Sequence, residues 1–283
     1  MKKIWIIARM TFREAVRRRI VLTGLILGIC FLLIFSIGFH MIYVNATHPN
    51  PDIPQVAQRL AEAEGVNFVT LAGLYAVTFL SVAMGALLGA DTLAGEINSG
   101  TIQTIVTKPV KRSDVVLGKW LGFAGLLVSY SLLMSGGTVL SVFIQARYSP
   151  PNLLAGLVLI YLEALLIMTV SLACSSAMPG LATGGVVFGL YGLGFIGGWI
   201  EQIGAVLHYT TAVKVGIVTS LIIPSEALWR RASFEMQTPL AAALGISPLG
   251  AISVPSILMV VYAIVYLVLA LAAAVNIFQN RDL

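Results

Sequence analysis

Hydrophobic residues in this chain are gathered into six long runs, which polar segments separate. A transmembrane helix needs roughly 20 mostly apolar residues to cross the hydrocarbon core of a bilayer. Each run meets that length, so the pattern predicts an all-α polytopic membrane protein with one transmembrane domain over residues 1–283. The predicted transmembrane helices are residues 20–44, 68–90, 115–144, 153–176, 181–200 and 256–278.

Residues 201–255 follow the fifth run and have a mixed pattern. The stretch 204–223 is apolar but contains His208 and Lys214. A charged side chain inside a membrane span is costly. We therefore expect an extracytoplasmic segment that includes an interfacial or re-entrant element, in preference to a seventh span.

The first 19 residues predict an amphipathic helix that precedes the first span. At helical spacing, apolar and small side chains share one face, and basic side chains share the opposite face. Such a helix lies on the inner leaflet, where its cations meet anionic lipid. The alternative is a frayed tail whose charges only set the topology. The apolar face contains Ile4, Ala8, Thr11, Phe12 and Ala15, and the membrane-surface cations are Lys2, Arg9, Arg13 and Arg17.

Composition and charge agree with a membrane protein. Hydrophobic residues make up 58% of the chain and charged residues only 10%, whereas a soluble domain has about 25% charged residues. Lysine and arginine are concentrated before the first span and between the second and third spans. Short cytoplasmic loops carry such an excess of positive charge. We expect both termini and the 91–114 loop to be cytoplasmic, in a multi-pass protein of the cell (inner) membrane. The cations Lys214, Arg230 and Arg231 in the last outer segment run against this rule.

The fifth run is rich in glycines that are four positions apart. Small residues at this spacing allow two helices to approach closely. Two interpretations stay open at this point: a seam between two copies of the chain, or tight packing within one subunit. The pairs are Gly180 with Gly184, Gly185 with Gly189, and Gly194 with Gly198.

Glu163 is a carboxylate near the middle of the fourth span. It lies about 12 residues from the preceding turn, hence about 18 Å deep at the rise of an α-helix. Side chains of this kind face a bundle interior or a wet cavity. Glu163 is therefore a candidate intramembrane polar site, either for a proton or substrate or as a neutral carboxyl bonded to a neighbouring helix.

Motifs of catalytic and metal sites are missing from the sequence. There is no G-x-x-x-x-G-K-[S/T] phosphate loop, no C-x-x-C and no H-E-x-x-H. The chain has only three histidines, and Cys30 and Cys174 both lie inside apolar runs. The sequence therefore predicts that this chain binds no metal or cofactor, has no nucleic-acid partner and is not an enzyme by itself.

The loop 91–114 contains a short segment with the pattern of a helix. Asn98 or Ser99 can cap it, Glu96 lies before its positive end, and Pro109 ends it. A helix this short cannot bury its apolar side alone, and it suits docking into a groove on another protein. The alternative is an ordinary positive loop whose isoleucines dip into the bilayer. The apolar side consists of Ile102, Ile105 and Val106, and the basic rim of Lys108, Lys111 and Arg112.

These residues resemble a known family. The succession of Glu96, Ser99-Gly100-Thr101, Pro109, Arg112 and Gly118-Lys119 is similar to the cytoplasmic signature of ABC-2 type transporter permeases. Six spans and an amphipathic start also fit that family. A second stretch, residues 220–233, resembles the branch that includes the permease of the nitrous-oxide reductase maturation system.

The resemblance implies a mechanism. Permeases of this family dimerise and recruit two ATP-binding subunits, which bind ATP and magnesium. The segment 98–109 would be the coupling helix, seated in a groove of the ATPase and anchored by Glu96. The substrate path would lie at a dimer seam formed by the first and fifth spans, and transport would be export. The implied coupling residues are Glu96, Ser99, Gly100, Thr101, Ile102, Ile105, Val106, Pro109, Arg112 and Lys119.

Two other functions stay open from the sequence. One is an ion-coupled secondary transporter that uses Glu163. The other is a non-transporting membrane scaffold for the assembly of another protein. The substrate, and whether the chain pairs with itself or with a paralogue, do not follow from the sequence.

Overall fold

The computed structural model describes residues 2–46, 54–90, 92, 111–244 and 253–280. Within these ranges the chain forms ten α-helices, and none of the described residues belongs to a β-strand. In chain order the helices are α1 (Lys2–Val16), α2 (Arg19–Ala46), α3 (Gln55–Ala90), α4 (Arg112–Ala146), α5 (Leu153–Ala177), α6 (Gly180–Val206), α7 (Thr210–Ile222), α8 (Ser225–Met236), α9 (Pro239–Leu244) and α10 (Ile257–Gln279).

Six of the described helices are long and apolar enough to cross a membrane: α2, α3, α4, α5, α6 and α10. The helices α7 and α8 pass the same test only as a pair, and they are bent by 108° at the break between them. The six helices confirm the predicted all-α, polytopic architecture.

The second span differs from its predicted extent. The sequence analysis starts this span at residue 68, whereas α3 runs without a break over Gln55–Ala90. No proline follows Pro54 in this stretch, and a single glycine, Gly65, costs a helix only about 1 kcal/mol. The helix therefore extends beyond its apolar part. In the same way α6 continues to Val206 and includes Glu201, which the sequence analysis had placed outside the span.

The helix α5 lies at the centre of the bundle and packs against α3, α8 and α10. Its closest approach to α3 depends on small residues. An added Cβ at Gly85 would come within 3.0 Å of the Ala164 carbonyl oxygen. Two turns further along α5, Ser171 Oγ donates a hydrogen bond of 2.6 Å to Ala86 O. These contacts hold the two helices backbone to backbone.

Both ends of the described chain lie on one side of the bundle, here called the terminal side. The helix α1 packs against the first turns of α4, where Gly118 and Gly122 leave room for its backbone. The end of α10 reaches the same place, because Arg112 Nη1 donates a hydrogen bond of 3.0 Å to Gln279 O. The other end of the bundle, where α4 leads into α5, is called the opposite side.

The helices α7 and α8 form a bent hairpin that starts and ends on the opposite side. The first helix runs back along the end of α6, with Ala212 beside Gly204. The chain turns at Pro224, and α8 returns until Met236 packs against Gly156 in the first turn of α5. The tip of the hairpin is thereby placed inside the bundle.

Candidate functional site

Most residues of the expected coupling segment lie outside the described residues. These are Glu96, Ser99, Gly100, Thr101, Ile102, Ile105, Val106 and Pro109. The flanks of the segment are described: α3 ends at Ala90, and α4 begins at Arg112. The described flanks lie at the terminal side, where α1 and the end of α10 contact α4.

The two described members of the expected coupling set are both engaged within the chain. Arg112 bonds the end of α10. Lys119 is only 5% exposed, although a lysine near the start of a span can extend its amine to the membrane surface. The reason is that α1 covers the same turns of α4: an added Cβ on Gly118 would lie 2.7 Å from Ile7 Cβ, and one on Gly122 2.7 Å from Ala8 O.

The face of α1 that packs against α4 is narrower than the apolar face that the sequence pattern indicates. Ala8, Thr11 and Ala15 are buried, whereas Phe12 is exposed beside Trp5 on a neighbouring strip. The small face contacts α4, and the aromatic strip stays available to lipid. Arg9, Arg13 and Arg17 are exposed, as a membrane-surface role requires; the side chain of Lys2 is not described.

The glycines of α6 divide into two groups. An added Cβ at Gly184, Gly185 or Gly189 would meet nothing within 4 Å, so this half of the helix is open. At Gly194 and Gly198 an added Cβ would overlap the α7–α8 hairpin. The second half of the series therefore serves packing within one subunit, and only the first half is free to meet another molecule. Gly180 is half-buried in the first turn.

Glu163 is completely buried in the middle of α5. Neither of its carboxyl oxygens has a hydrogen-bond partner within the part of the chain that the structure describes. The described residues of the neighbouring helices therefore do not form the hydrogen bond to Glu163 that one of the two interpretations expects. A buried polar group without a partner carries the full cost of its desolvation.

The tip of the hairpin places a second carboxylate, Glu226, inside the bundle. Its side chain is 5% exposed and accepts a hydrogen bond of 3.3 Å from the Tyr75 hydroxyl of α3. The Tyr75 ring stacks on Trp229, with 4.6 Å between the ring centroids, and Gly198 of α6 leaves the space that the Glu226 side chain fills. Glu226 is thereby held against both α3 and α6.

A buried ion pair lies one helical turn beyond Glu226, and the sequence analysis missed it. Arg230 Nη1 of α8 lies 2.6 Å from Glu201 Oε1 of α6, and the two side chains are 2% and 5% exposed. Arg230 Nη2 also donates to Ser220 Oγ at 3.2 Å, and Ser253 Oγ donates to Glu201 Oε1 at 2.7 Å. The signal in the sequence was that Arg230 ran against the charge rule, but no periodicity connects it to Glu201, 29 positions away.

Ion pairs explain why Arg230 and Arg231, in the segment expected to be extracytoplasmic, depart from the charge rule. Arg230 is neutralised by Glu201, and Arg231 Nη2 lies 2.6 Å from Glu235 Oε1 on the same helix. Paired and buried cations of this kind do not act as free loop charges. Lys214 is exposed on α7.

A cavity of about 640 Å³ lies between α2 and α4, near the opposite side. Its walls are mainly aliphatic, but one edge has a chain of hydrogen bonds. Ser141 Oγ donates to Ser36 Oγ at 3.0 Å, and Gln145 Nε2 donates to Ser141 Oγ at 3.1 Å. His40 Nδ1 lies 3.2 Å from Gln145 Oε1. The first span therefore presents a polar edge within a largely apolar groove.

Comparison with known proteins identifies the family. The sequence profile of the ABC-2 family transporter proteins matches residues 5–283. The chain belongs to this family. Together with the six apolar helices, this makes it a multi-pass membrane protein of the ABC transporter class, and the family resemblance seen in the sequence is confirmed.

Two relatives carry the description "Probable ABC transporter permease protein NosY". The one from Pseudomonas aeruginosa is 28% identical over 143 residues, which cover 50% of this chain and 46% of the relative. The one from Stutzerimonas stutzeri is 29% identical over 143 residues, which cover 48% of this chain and 44% of the relative. The chain thus spans just under half the length of these relatives, and their similarity supports the branch that the sequence indicated.

Proposed function

We propose that this chain is the membrane-spanning permease subunit of an ABC transporter, and that ATP is hydrolysed on separate ATP-binding subunits. Family membership over residues 5–283 carries the proposal. The absence of a phosphate loop from the sequence fits a chain that depends on a partner for ATP and magnesium.

The loop between α3 and α4 is the proposed docking site for the ATP-binding subunit. It joins two spans at the terminal side, where α1 and the end of α10 both contact α4. The helix α3 is packed backbone to backbone against α5 through Gly85 and Ser171. A displacement of the loop would therefore move the central helices as a rigid body. We place this side, with both termini, in the cytoplasm, in the cell membrane.

The open half of α6 is the proposed contact with a second permease chain. Gly184, Gly185 and Gly189 leave this face free of side chains, and Leu181 and Phe188 beside them are exposed. A small-residue face lets two helices approach closely in a membrane. Two chains with two ATP-binding subunits would then enclose a substrate path at the seam, and export is the proposed direction.

The experiment that tests the proposal is purification of the tagged chain from its native host in mild detergent. Co-purifying proteins are identified by mass spectrometry, and vanadate-sensitive ATP hydrolysis is measured. A stoichiometric subunit with a Walker phosphate loop, together with this activity, supports the proposal. Reproducible recovery without an ATPase contradicts it and favours the two alternatives, a secondary transporter centred on Glu163 or a membrane scaffold; ion-dependent uptake into vesicles separates these.

A further inference from the structure

A second, smaller cavity lies between α2 and α3 at the terminal side of the bundle, and its volume is about 280 Å³. Arg19, the first residue of α2, lines one end of the cavity, here called the mouth. Leu27 of α2 and Leu80 of α3 line the other end. Arg19 and Leu27 are eight positions apart, so the cavity extends about 12 Å along the first span.

The inner part of the cavity is apolar and opens to the side of the bundle. Leu27 and Leu87 line it and are 56% and 41% exposed. Met84 is buried where the two helices come closest, since an added Cβ on Gly24 would lie 3.1 Å from Met84 Sδ. An opening between two spans faces lipid chains, and an apolar cavity offers water no hydrogen-bond partners. The inner part therefore suits an aliphatic chain.

The polar groups of the lining lie nearer the mouth. Thr23 and Arg19 belong to the first two turns of α2. Tyr130 of α4 is deeper, and its hydroxyl donates a hydrogen bond of 3.3 Å to Gly24 O. Arg19 is exposed and is the only cation among the described residues that line the cavity, none of which is acidic. The cavity thus joins an apolar interior to a cationic mouth.

Positive charge is concentrated around this mouth. Residues 13–19 contain four arginines and one glutamate. Arg18 pairs with Glu14 at 2.8 Å, so this glutamate does not balance the charges of Arg13, Arg17 and Arg19, which are all exposed. The first turn of α2 contains no acidic residue, and the start of a helix has a partial positive charge of its own. The complementary ligand group is therefore an anion.

We propose that this cavity binds one anionic phospholipid from the leaflet on the terminal side. The phosphate lies against Arg19, and part of an acyl chain lies between α2 and α3. A soluble anion would leave the apolar part unfilled, whereas anionic phospholipids are amphiphilic anions that the membrane itself supplies. The site goes beyond the proposed transport function, because a single chain forms it without an ATP-binding subunit. It also differs from a general attraction of α1 to the membrane surface, because it requires the cavity.

Native mass spectrometry of the delipidated full-length chain in detergent tests the proposal. Phosphatidylglycerol and phosphatidylcholine are titrated separately, and binding of the first lipid molecule is measured. We expect phosphatidylglycerol to bind about fivefold or more tightly than phosphatidylcholine, and Arg19→Gln to weaken its binding by about fivefold. The matched control is Arg59→Gln, an exposed cation near the other end of α3, which should leave binding unchanged. Equal affinities for the two lipids, or equal binding in the two variants, would overturn the proposal.

A variant that fills the cavity tests the acyl-chain part while all charges stay in place. Ala83 is half-buried and lines the cavity, so Ala83→Leu should weaken binding of phosphatidylglycerol by about tenfold, because the apolar contact area is lost. Gly136→Leu, at an exposed position of α4, is the control and should bind as the wild type does.

Two results of this second experiment contradict the proposal. One is undiminished binding of phosphatidylglycerol in Ala83→Leu. The other is displacement of the lipid from the wild type by glycerol 3-phosphate, since a soluble anion without acyl chains would then occupy the site equally well. Both measurements use the chain alone. Their failure is therefore distinct from failure to recover an ATP-binding subunit, which would contradict the proposed function.

Discussion

Arg230 and Glu201 form an ion pair inside the helix bundle, with 2.6 Å between Nη1 and Oε1 and almost no exposed surface. The pair joins α8 to α6 and so fixes the hairpin that carries Glu226 to the interior. Its partners Ser220 and Ser253 come from α7 and from the segment before α10. Four separate parts of the chain thus meet on one guanidinium and one carboxylate.

Breaking this pair should destabilise the protein strongly. We expect Glu201→Gln to lower the free energy of unfolding by about 3–5 kcal/mol, because Arg230 would remain buried without its counter-charge. Unfolding in mixed micelles measures the change. The matched control is Glu235→Gln, which breaks the half-exposed pair with Arg231 and should cost about 1 kcal/mol or less. Equal losses of unfolding free energy in the two variants would show that the buried pair stabilises the protein no more than the partly exposed one.

Substitution of the glycines of α6 should show which of them contact a second subunit and which pack within one subunit. Gly189→Leu should weaken dimerisation and leave the monomer stable, since an added Cβ there meets nothing in the same chain. Gly198→Leu should instead destabilise the monomer, because the side chain would overlap Glu226.

The measurement for this prediction is the crosslinked dimer fraction in detergent, together with thermal stability. Gly136→Leu on α4 is the control, since Gly136 is also open and exposed. A dimer fraction that is the same in Gly189→Leu and Gly136→Leu would argue against a seam at α6.

The coupling segment should be essential for recruitment of the ATP-binding subunit. We expect the double variant Glu96→Ala with Ile105→Asp to abolish co-purification of the ATPase and to leave membrane insertion intact, because it removes the anchoring charge and the apolar side together. The matched control is Glu62→Ala with Val56→Asp on the exposed start of α3. Recovery of the ATPase at the wild-type level in the first variant would rule out the coupling assignment.

The contact of α1 with α4 should depend on two glycines. Gly122→Leu should displace α1, because an added Cβ would already lie 2.7 Å from the Ala8 carbonyl oxygen. A cysteine introduced by Ala8→Cys, at a position 5% exposed in the docked helix, should then react faster with a thiol reagent. Gly125→Leu is the control, because its added Cβ would make only an ordinary contact at 3.7 Å with Phe12. An unchanged reaction rate in Gly122→Leu would mean that α1 is not held in this way.

The sequence by itself determined the class of the protein, its six spans and its family. Runs of apolar residues long enough to cross a bilayer are a local property, because a span must satisfy its own backbone hydrogen bonds. The family signature between the second and third spans is also local. The predicted ends of the helices were less accurate. The helices α3 and α6 continue past their apolar parts because nothing in those stretches breaks a helix.

Only the tertiary structure decided which side chains meet. Glycines at the same spacing in α6 have two different surroundings, because the α7–α8 hairpin packs against only one half of the helix. Glu201 and Arg230 pair across 29 positions, and Tyr75 of α3 bonds Glu226 of α8. Such contacts arise because buried charges must find a partner or a proton wherever the fold places them, and no local pattern along the chain encodes that placement.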